Sequence, residues 1–145
     1  MKAVFSALAA PSRILSIAVL MSLAGTATAE YERGLSQYEQ GNYDRALMEF
    51  RTDANIGHTQ AMRKLGEMYM AGEGVESPDP VQAVKWLTLA YLQGDSELVS
   101  TLESIRQDIS ESQLVAGEQA ALDWLEDAML SDFGRDDVSE LYESF

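Results

Sequence analysis

Few residues in this chain could support catalysis or metal binding. It has no cysteine and a single histidine, His58, so the sequence offers neither the usual donors for a transition-metal site nor a nucleophile–histidine pair. Three of its methionines, at positions 62, 68 and 70, fall in one short stretch where adaptable packing is their ordinary use. Asp132-Phe133-Gly134 matches a kinase tripeptide, but the phosphate loop and lysine strand that would give it meaning are missing. The sequence therefore predicts a protein without enzymatic activity, cofactor or metal, and an ordinary helix-start role for His58.

Acidic residues dominate the charge. The chain has 24 aspartates and glutamates against 10 lysines and arginines, and 14 of the acids lie between Asp95 and Phe145, a segment with only two arginines. Such a field repels nucleic acid and anionic membrane surfaces, so neither is an expected partner. Two interpretations of the acidity stay open, namely solubility alone or attraction of a basic partner or of divalent cations.

The first 29 residues have the organisation of an export signal. Basic residues Lys2 and Arg13 precede an apolar run of 11 residues, Ile14 to Ala24, which is shorter than the ~20 residues that span a bilayer as a helix. Ala27-Thr28-Ala29 then places small residues where a signal peptidase cleaves. We predict cleavage after Ala29 and a periplasmic or secreted protein without stable membrane insertion. The alternative, an uncleaved anchor, would leave Met1 as the first residue.

From Glu30 onward apolar positions recur at helical spacing, and no segment alternates with period two. This pattern predicts an all-α fold of about six helices, near residues 31–40, 43–56, 59–71, 80–93, 96–109 and 111–130, with an acidic flexible tail at 131–145. Asp79-Pro80 supplies an N-cap and a first-turn proline, and Ser110 with Gln113 forms a capping box. We expect Tyr91 to be buried on the fourth helix. We also expect that Gly117 is tolerated in the sixth because a neighbouring helix needs the space.

Two helix pairs in the sequence resemble each other. Tyr38 to Gly41 matches Tyr69 to Gly72 at an offset of 31 residues, while the following helices match at an offset of 37, so the second pair has a longer internal loop. A period of this length with two helices is typical of stacked helical repeats. It predicts a repeat domain at 30–130, with units at about 30–57 and 58–94 and capping helices at 95–130.

The second unit resembles a Sel-1-like repeat, a relative of the tetratricopeptide repeat, of an exported bacterial type. The residues that carry the resemblance are small or aromatic and sit where two helices approach closely: Leu65, Gly66, Tyr69, Gly72, Gly74, Ala83, Trp86, Ala90 and Gly94. The resemblance implies a right-handed α/α superhelix and a non-enzymatic scaffold or adaptor that binds a protein or peptide.

Helical arrays of this kind usually bind through the first helix of each pair. The candidate contact surface is therefore the polar side of the third helix, formed by Gln60, Arg63, Lys64 and Glu67. An alternative function that the resemblance leaves open is a cell-wall-directed ligand binder or hydrolase of the β-lactamase-like repeat type. Members of that type pair cysteines within each repeat, and this chain has none.

Overall fold

The structure, a computed structural model, describes residues 29–132. Six helices follow one another in this part of the chain: α1 (29–39), α2 (Tyr43–Asn55), α3 (Thr59–Ala71), α4 (Pro80–Leu92), α5 (Leu98–Asp108) and α6 (Glu111–Asp132). The described residues contain no strand, so the prediction of an all-α helical repeat is confirmed. The predicted signal up to residue 28 and the predicted tail from residue 133 lie outside the described residues.

Several helix ends differ from the expected ones by one or two residues, and two of these differences have a local cause. The α5 helix begins at Leu98, because the residues after Gly94 form a turn in which the Leu98 amide donates to the Asp95 carbonyl oxygen at 3.2 Å. The α6 helix continues to Asp132, two residues beyond the predicted end, since the sequence has no glycine or proline between Gly117 and Gly134 to stop it.

Both predicted helix starts carry the expected caps. The Asp79 carboxylate accepts a hydrogen bond from the Gln82 amide at 3.1 Å, and Pro80 occupies the first turn of α4. At the start of α6, the Ser110 hydroxyl accepts from the Gln113 amide at 3.3 Å, and the Ser110 amide donates to the Gln113 side chain at 3.1 Å. This reciprocal pair satisfies amides that would otherwise lack partners at the helix terminus.

The loop between α3 and α4 depends on two glycines. Gly72 ends α3 in the left-handed conformation, with φ of 75°, a region that side chains other than glycine rarely adopt. Gly74 has the same φ, and a Cβ there would lie 2.6 Å from the Tyr43 carbonyl oxygen. The loop therefore rests directly on the first turn of α2, which connects the first two layers of helices.

The α3 and α4 helices approach each other closely at Gly66. A Cβ added to Gly66 would lie 2.6 Å from Leu87 Cγ and 3.2 Å from the Ala83 carbonyl oxygen, so the two helices approach to a distance that only glycine permits. The core around this contact consists of fully or almost fully buried apolar side chains, among them Ala61, Met62, Leu65, Tyr69, Ala83, Trp86, Leu87 and Ala90.

The α4 helix is the centre of the second half, since it packs against α3, α5 and α6. Gly117 of α6 faces it, and a Cβ at this position would lie 2.5 Å from Val84 Cβ. The expected reason for a glycine inside α6 is thus confirmed. On the same interface the Trp86 and Trp124 rings meet edge to face, with centroids 6.3 Å apart.

The expectation for Tyr91 was wrong. Its side chain is 41% exposed, although Ala90 beside it is completely buried. Tyr91 lies in the last turn of α4 next to Leu92, which is also exposed, so one side of this turn faces solvent while Leu89 and Ala90 face the core.

Candidate functional site

The four residues predicted as a contact surface come together in one groove. We call it the α1–α3 groove. It has a volume of about 380 Å³ and is lined by Tyr31, Leu35, Gln60, Arg63, Lys64, Glu67 and Asp95. Helical periodicity places Gln60, Arg63, Lys64 and Glu67 on one side of α3, α1 provides the facing wall, and the turn after α4 closes one end.

Arg63 is held in place by carboxylates from two parts of the chain. Its Nη1 atom lies 3.1 Å from Asp95 Oδ2 and 3.2 Å from Glu97 Oε2, both in the turn between α4 and α5. Its Nε atom donates to Glu67 Oε1 at 3.2 Å within α3. The hydrogen bond to Glu97, followed by the one to Glu67, raises the pKa of the guanidinium above its ordinary value. Arg63 therefore connects α3 to the start of α5.

Lys64 is also paired within the chain. Its Nζ atom lies 3.9 Å from the centroid of the Tyr38 ring on α1 and 3.7 Å from Glu67 Oε2. A hydrogen bond to Glu73 is the main reason that the pKa of Tyr38 is raised to about 12, so this phenol is neutral at physiological pH. Lys64 thus packs as a cation over an aromatic face, an arrangement that ties α3 to α1.

These pairings change the expected electrostatics of the surface. Arg63 and Lys64 are adjacent bases in the sequence, but each cation faces at least one carboxylate of the same chain. The acids around the pair, Glu67, Glu73, Asp95 and Glu97, outnumber the two bases. The surroundings of the pair therefore carry a net negative charge.

A second groove lies on the other side of Glu67, between α3 and α5. This α3–α5 groove has a volume of about 360 Å³ and is lined by Glu67, Met70, Ala71, Leu87, Thr101, Ser104, Ile105 and Asp108. Its floor is apolar, because Leu87 and Ile105 contribute buried side chains of the core. Glu67 and Asp108 place carboxylates at its edges, and Asp108 forms no ion pair within the described part of the chain.

Glu67 lines both grooves, so they form one continuous surface along α3. The α3 residues of the α1–α3 groove were predicted from the sequence as a candidate surface, whereas the α3–α5 groove was not predicted. A signal for part of it was present, since Arg63, Glu67 and Met70 are spaced four and three residues apart and share a helix face. Nothing local indicated the contribution of α5, because this helix meets α3 only through the tertiary fold.

His58 contacts a buried carboxylate and an aromatic ring of the same chain. It is the N-cap residue of α3, and its Nδ1 atom lies 3.2 Å from Oδ2 of Asp53, a carboxylate that is completely buried. The Tyr31 ring packs edge-on against the imidazole, with centroids 5.1 Å apart. Asp53 was not predicted as a buried residue, because nothing in the sequence distinguishes it from an aspartate that faces solvent.

Within residues 29–132, no helix is both long enough and apolar enough to cross a bilayer. No group of three or more histidine, aspartate or glutamate side chains in this range is arranged to hold a metal ion.

Comparison with known proteins identifies the central helix pair. Residues 59–95 match the Sel1 repeat, a helical repeat that generally acts as a non-catalytic module for protein–protein interaction. The matched segment begins with α3 and ends just after α4, and it contains every signature residue from Leu65 to Gly94. Searches of curated proteins and of solved structures gave no match. The resemblance of the second unit to a Sel-1-like repeat is thereby confirmed.

Proposed function

We propose that this protein is an exported, non-enzymatic adaptor that binds a basic segment of a partner protein along α3. One observation carries the proposal: Glu67 joins an apolar groove and a charged groove into a single surface on the first helix of the Sel1 repeat. Apolar contact gives affinity, and the carboxylates select for a positively charged partner.

The α3–α5 groove suits one bulky apolar side chain of such a segment. Burying a leucine or phenylalanine against Leu87 and Ile105 contributes roughly 1.5–3 kcal/mol. Lysine or arginine residues on either side would then face Glu67 and Asp108. The α1–α3 groove continues the same path toward Asp95, so a segment of several residues can lie across both.

Export is the second part of the proposal and depends on the sequence alone. The short apolar run and the Ala27-Thr28-Ala29 site support cleavage after Ala29 and a periplasmic or secreted location. The signal carries two bases and no acid, so its removal leaves 24 acids against 8 bases. This charge strengthens the attraction of a basic partner.

The test is affinity capture from envelope extracts with three matched baits. Ser104→Arg introduces a cation into the α3–α5 groove, where it opposes a basic ligand and fills the space. Gln107→Arg places the same charge on an exposed position of α5 that does not line the groove, and it serves as the control. We expect one partner to be retained by the wild type and by Gln107→Arg and lost with Ser104→Arg.

The salt dependence of partner binding provides a second, independent readout of the capture experiment. Ion pairs on a surface are screened at high ionic strength, so elution of the partner by salt is expected. A partner retained equally by all three baits, or the lack of any protein that distinguishes wild type from Ser104→Arg, would refute the groove as the binding site.

A further inference from the structure

Asp53 has a carboxylate that lacks a full set of partners. It is the buried charged residue of the described core, with 0% of its side chain exposed. Oδ2 lies 3.2 Å from His58 Nδ1, whereas Oδ1 is buried with no hydrogen-bond partner. A buried carboxylate oxygen without a donor is costly, so an additional donor beside Oδ1 would stabilise the fold.

The surroundings of Asp53 favour a cation at that place. Asp53 lies in the last turn of α2, where the helix carbonyl groups make the local potential negative. Burial is the main reason that the pKa of Asp53 is raised, and the nearby Glu30 carboxyl raises it further. His58 opposes this shift, and the Arg33 guanidinium is directed to Glu30 and Glu49.

The first turn of α1 is fixed directly beside Asp53. The Tyr31 ring packs on Phe50 of α2, with centroids 5.6 Å apart, as well as on His58. Arg33 links Glu30 to Glu49 through contacts of 3.5 and 3.6 Å. These contacts hold residues 30–33 against the C-terminal half of α2, close enough for the Glu30 carboxyl to raise the pKa of Asp53.

Glu30 is also the residue that export would make the first of the chain. Hydrolysis of the Ala29–Glu30 peptide bond leaves a carboxylate on Ala29 and an amine on Glu30, which takes up a proton at neutral pH. Helical side chains lean toward the N-terminus of their helix, so the Glu30 carboxyl and the Glu30 nitrogen lie at the same end of α1. The new cation thus forms on the side where Asp53 is buried.

We propose that the α-ammonium group released at Glu30 by signal cleavage pairs with Asp53 Oδ1 and completes the junction of α1 and α2. The uncut chain has an amide at this position and cannot supply the charge. The inference rests on the proposed cleavage after Ala29. It assigns Asp53 a function that needs neither catalysis nor a partner protein.

The test uses purified proteins with defined first residues, so it does not depend on where a cell cleaves the chain. One protein begins at Glu30 and the other at Ala29, which moves the amine one residue along the chain. Each is made with Asp53 and with Asp53→Asn, which keeps the shape and removes the charge. We expect retention of Ala29 to weaken folding about tenfold or more in the Asp53 background and to have little effect with Asp53→Asn.

The pKa of the amine gives a second readout that a purely structural role of Asp53 would not change. A carboxylate beside an ammonium group raises the pKa of that amine above its ordinary value of about 7.7–8.0. Titration of the Glu30 amine by nitrogen NMR should show this increase with Asp53 and lose it with Asp53→Asn. If Asp53→Asn does not fold, the pKa of the Glu30 amine in the Asp53 protein still tests the proposed pairing.

Two results would overturn the inference: an ordinary pKa of the Glu30 amine in the Asp53 protein, or the same effect of Ala29 in both backgrounds. The cleavage position is read separately, by mass spectrometry of protein extracted from the envelope. A first residue other than Glu30 would refute the proposed processing.

Discussion

Replacing Gly66 by alanine tests the contact between α3 and α4. The added Cβ would lie 2.6 Å from Leu87 Cγ, 2.9 Å from its Cδ2 and 3.2 Å from the Ala83 carbonyl oxygen. Carbon atoms attract best at about 3.5–4.0 Å, so Leu87 or the helix must move by about 1 Å. Leu87 is itself buried in the core and has little room to move. Overpacking of this kind costs about 1–3 kcal/mol.

Helix propensity acts in the opposite direction. Alanine is favoured over glycine inside a helix by about 1 kcal/mol, so propensity alone predicts that Gly66→Ala stabilises the protein. The structure predicts instead a net loss of about 1 kcal/mol, because the clash outweighs the gain. Leu87→Ala removes the clashing atoms and by itself costs about 2–5 kcal/mol. In that background Gly66→Ala should become neutral or stabilising.

The assay is urea denaturation of the four proteins, followed by far-ultraviolet circular dichroism. The change of sign between the two backgrounds gives the coupling free energy of Gly66 and Leu87, which we expect to be about 1–3 kcal/mol. Equal slopes of the unfolding curves would confirm that the variants share one folded state. Stabilisation by Gly66→Ala in both backgrounds would refute the close approach of the two helices.

Three further predictions concern the cap of α4, the buried carboxylate and catalysis. Asp79→Ala should lower the free energy of unfolding by about 0.5–2 kcal/mol through loss of the cap, while Glu76→Ala in the same loop, measured by the same urea titration, should have little effect. In a protein whose N-terminus is acetylated, the raised pKa of Asp53 means that folding takes up a proton, so stability falls as the pH rises through that pKa. Asp53→Asn should therefore stabilise that protein more at about pH 7 than at about pH 4, and the same benefit at both pH values would contradict the assignment. The purified protein should not turn over nitrocefin, and turnover that a point substitution abolishes would favour the alternative hydrolase function.

Local signals in the sequence were enough to predict most of the fold. Asp79 and Ser110 marked helix starts through capping chemistry that involves residues three positions apart. Gly72 and Gly74 marked a turn because no other residue adopts their backbone conformation without strain. Gly66 and Gly117 stood out as glycines inside helices, and each faces a neighbouring helix closely.

The candidate site was predictable only in part. The four polar residues of α3 share a face by periodicity alone, but their charge partners do not follow from the local sequence. Arg63 pairs with Asp95, 32 residues later, and Lys64 packs on Tyr38 of α1. Asp53 escaped notice for the same reason. Its burial depends on the position of α1, and the periodicity of a helix does not show which other element packs over its polar residues.

The two helix-interior glycines that touch α4 restrict how this protein can change over time. Gly66 abuts Leu87 on α4, and Gly117 abuts Val84 of the same helix. Every other amino acid is larger than glycine, so a mutation at either position can only add volume. At Gly66 a smaller residue in place of Leu87 can compensate, but at Gly117 the contacts are with Val84 Cβ and the Val81 carbonyl oxygen, so α6 itself must move away from α4.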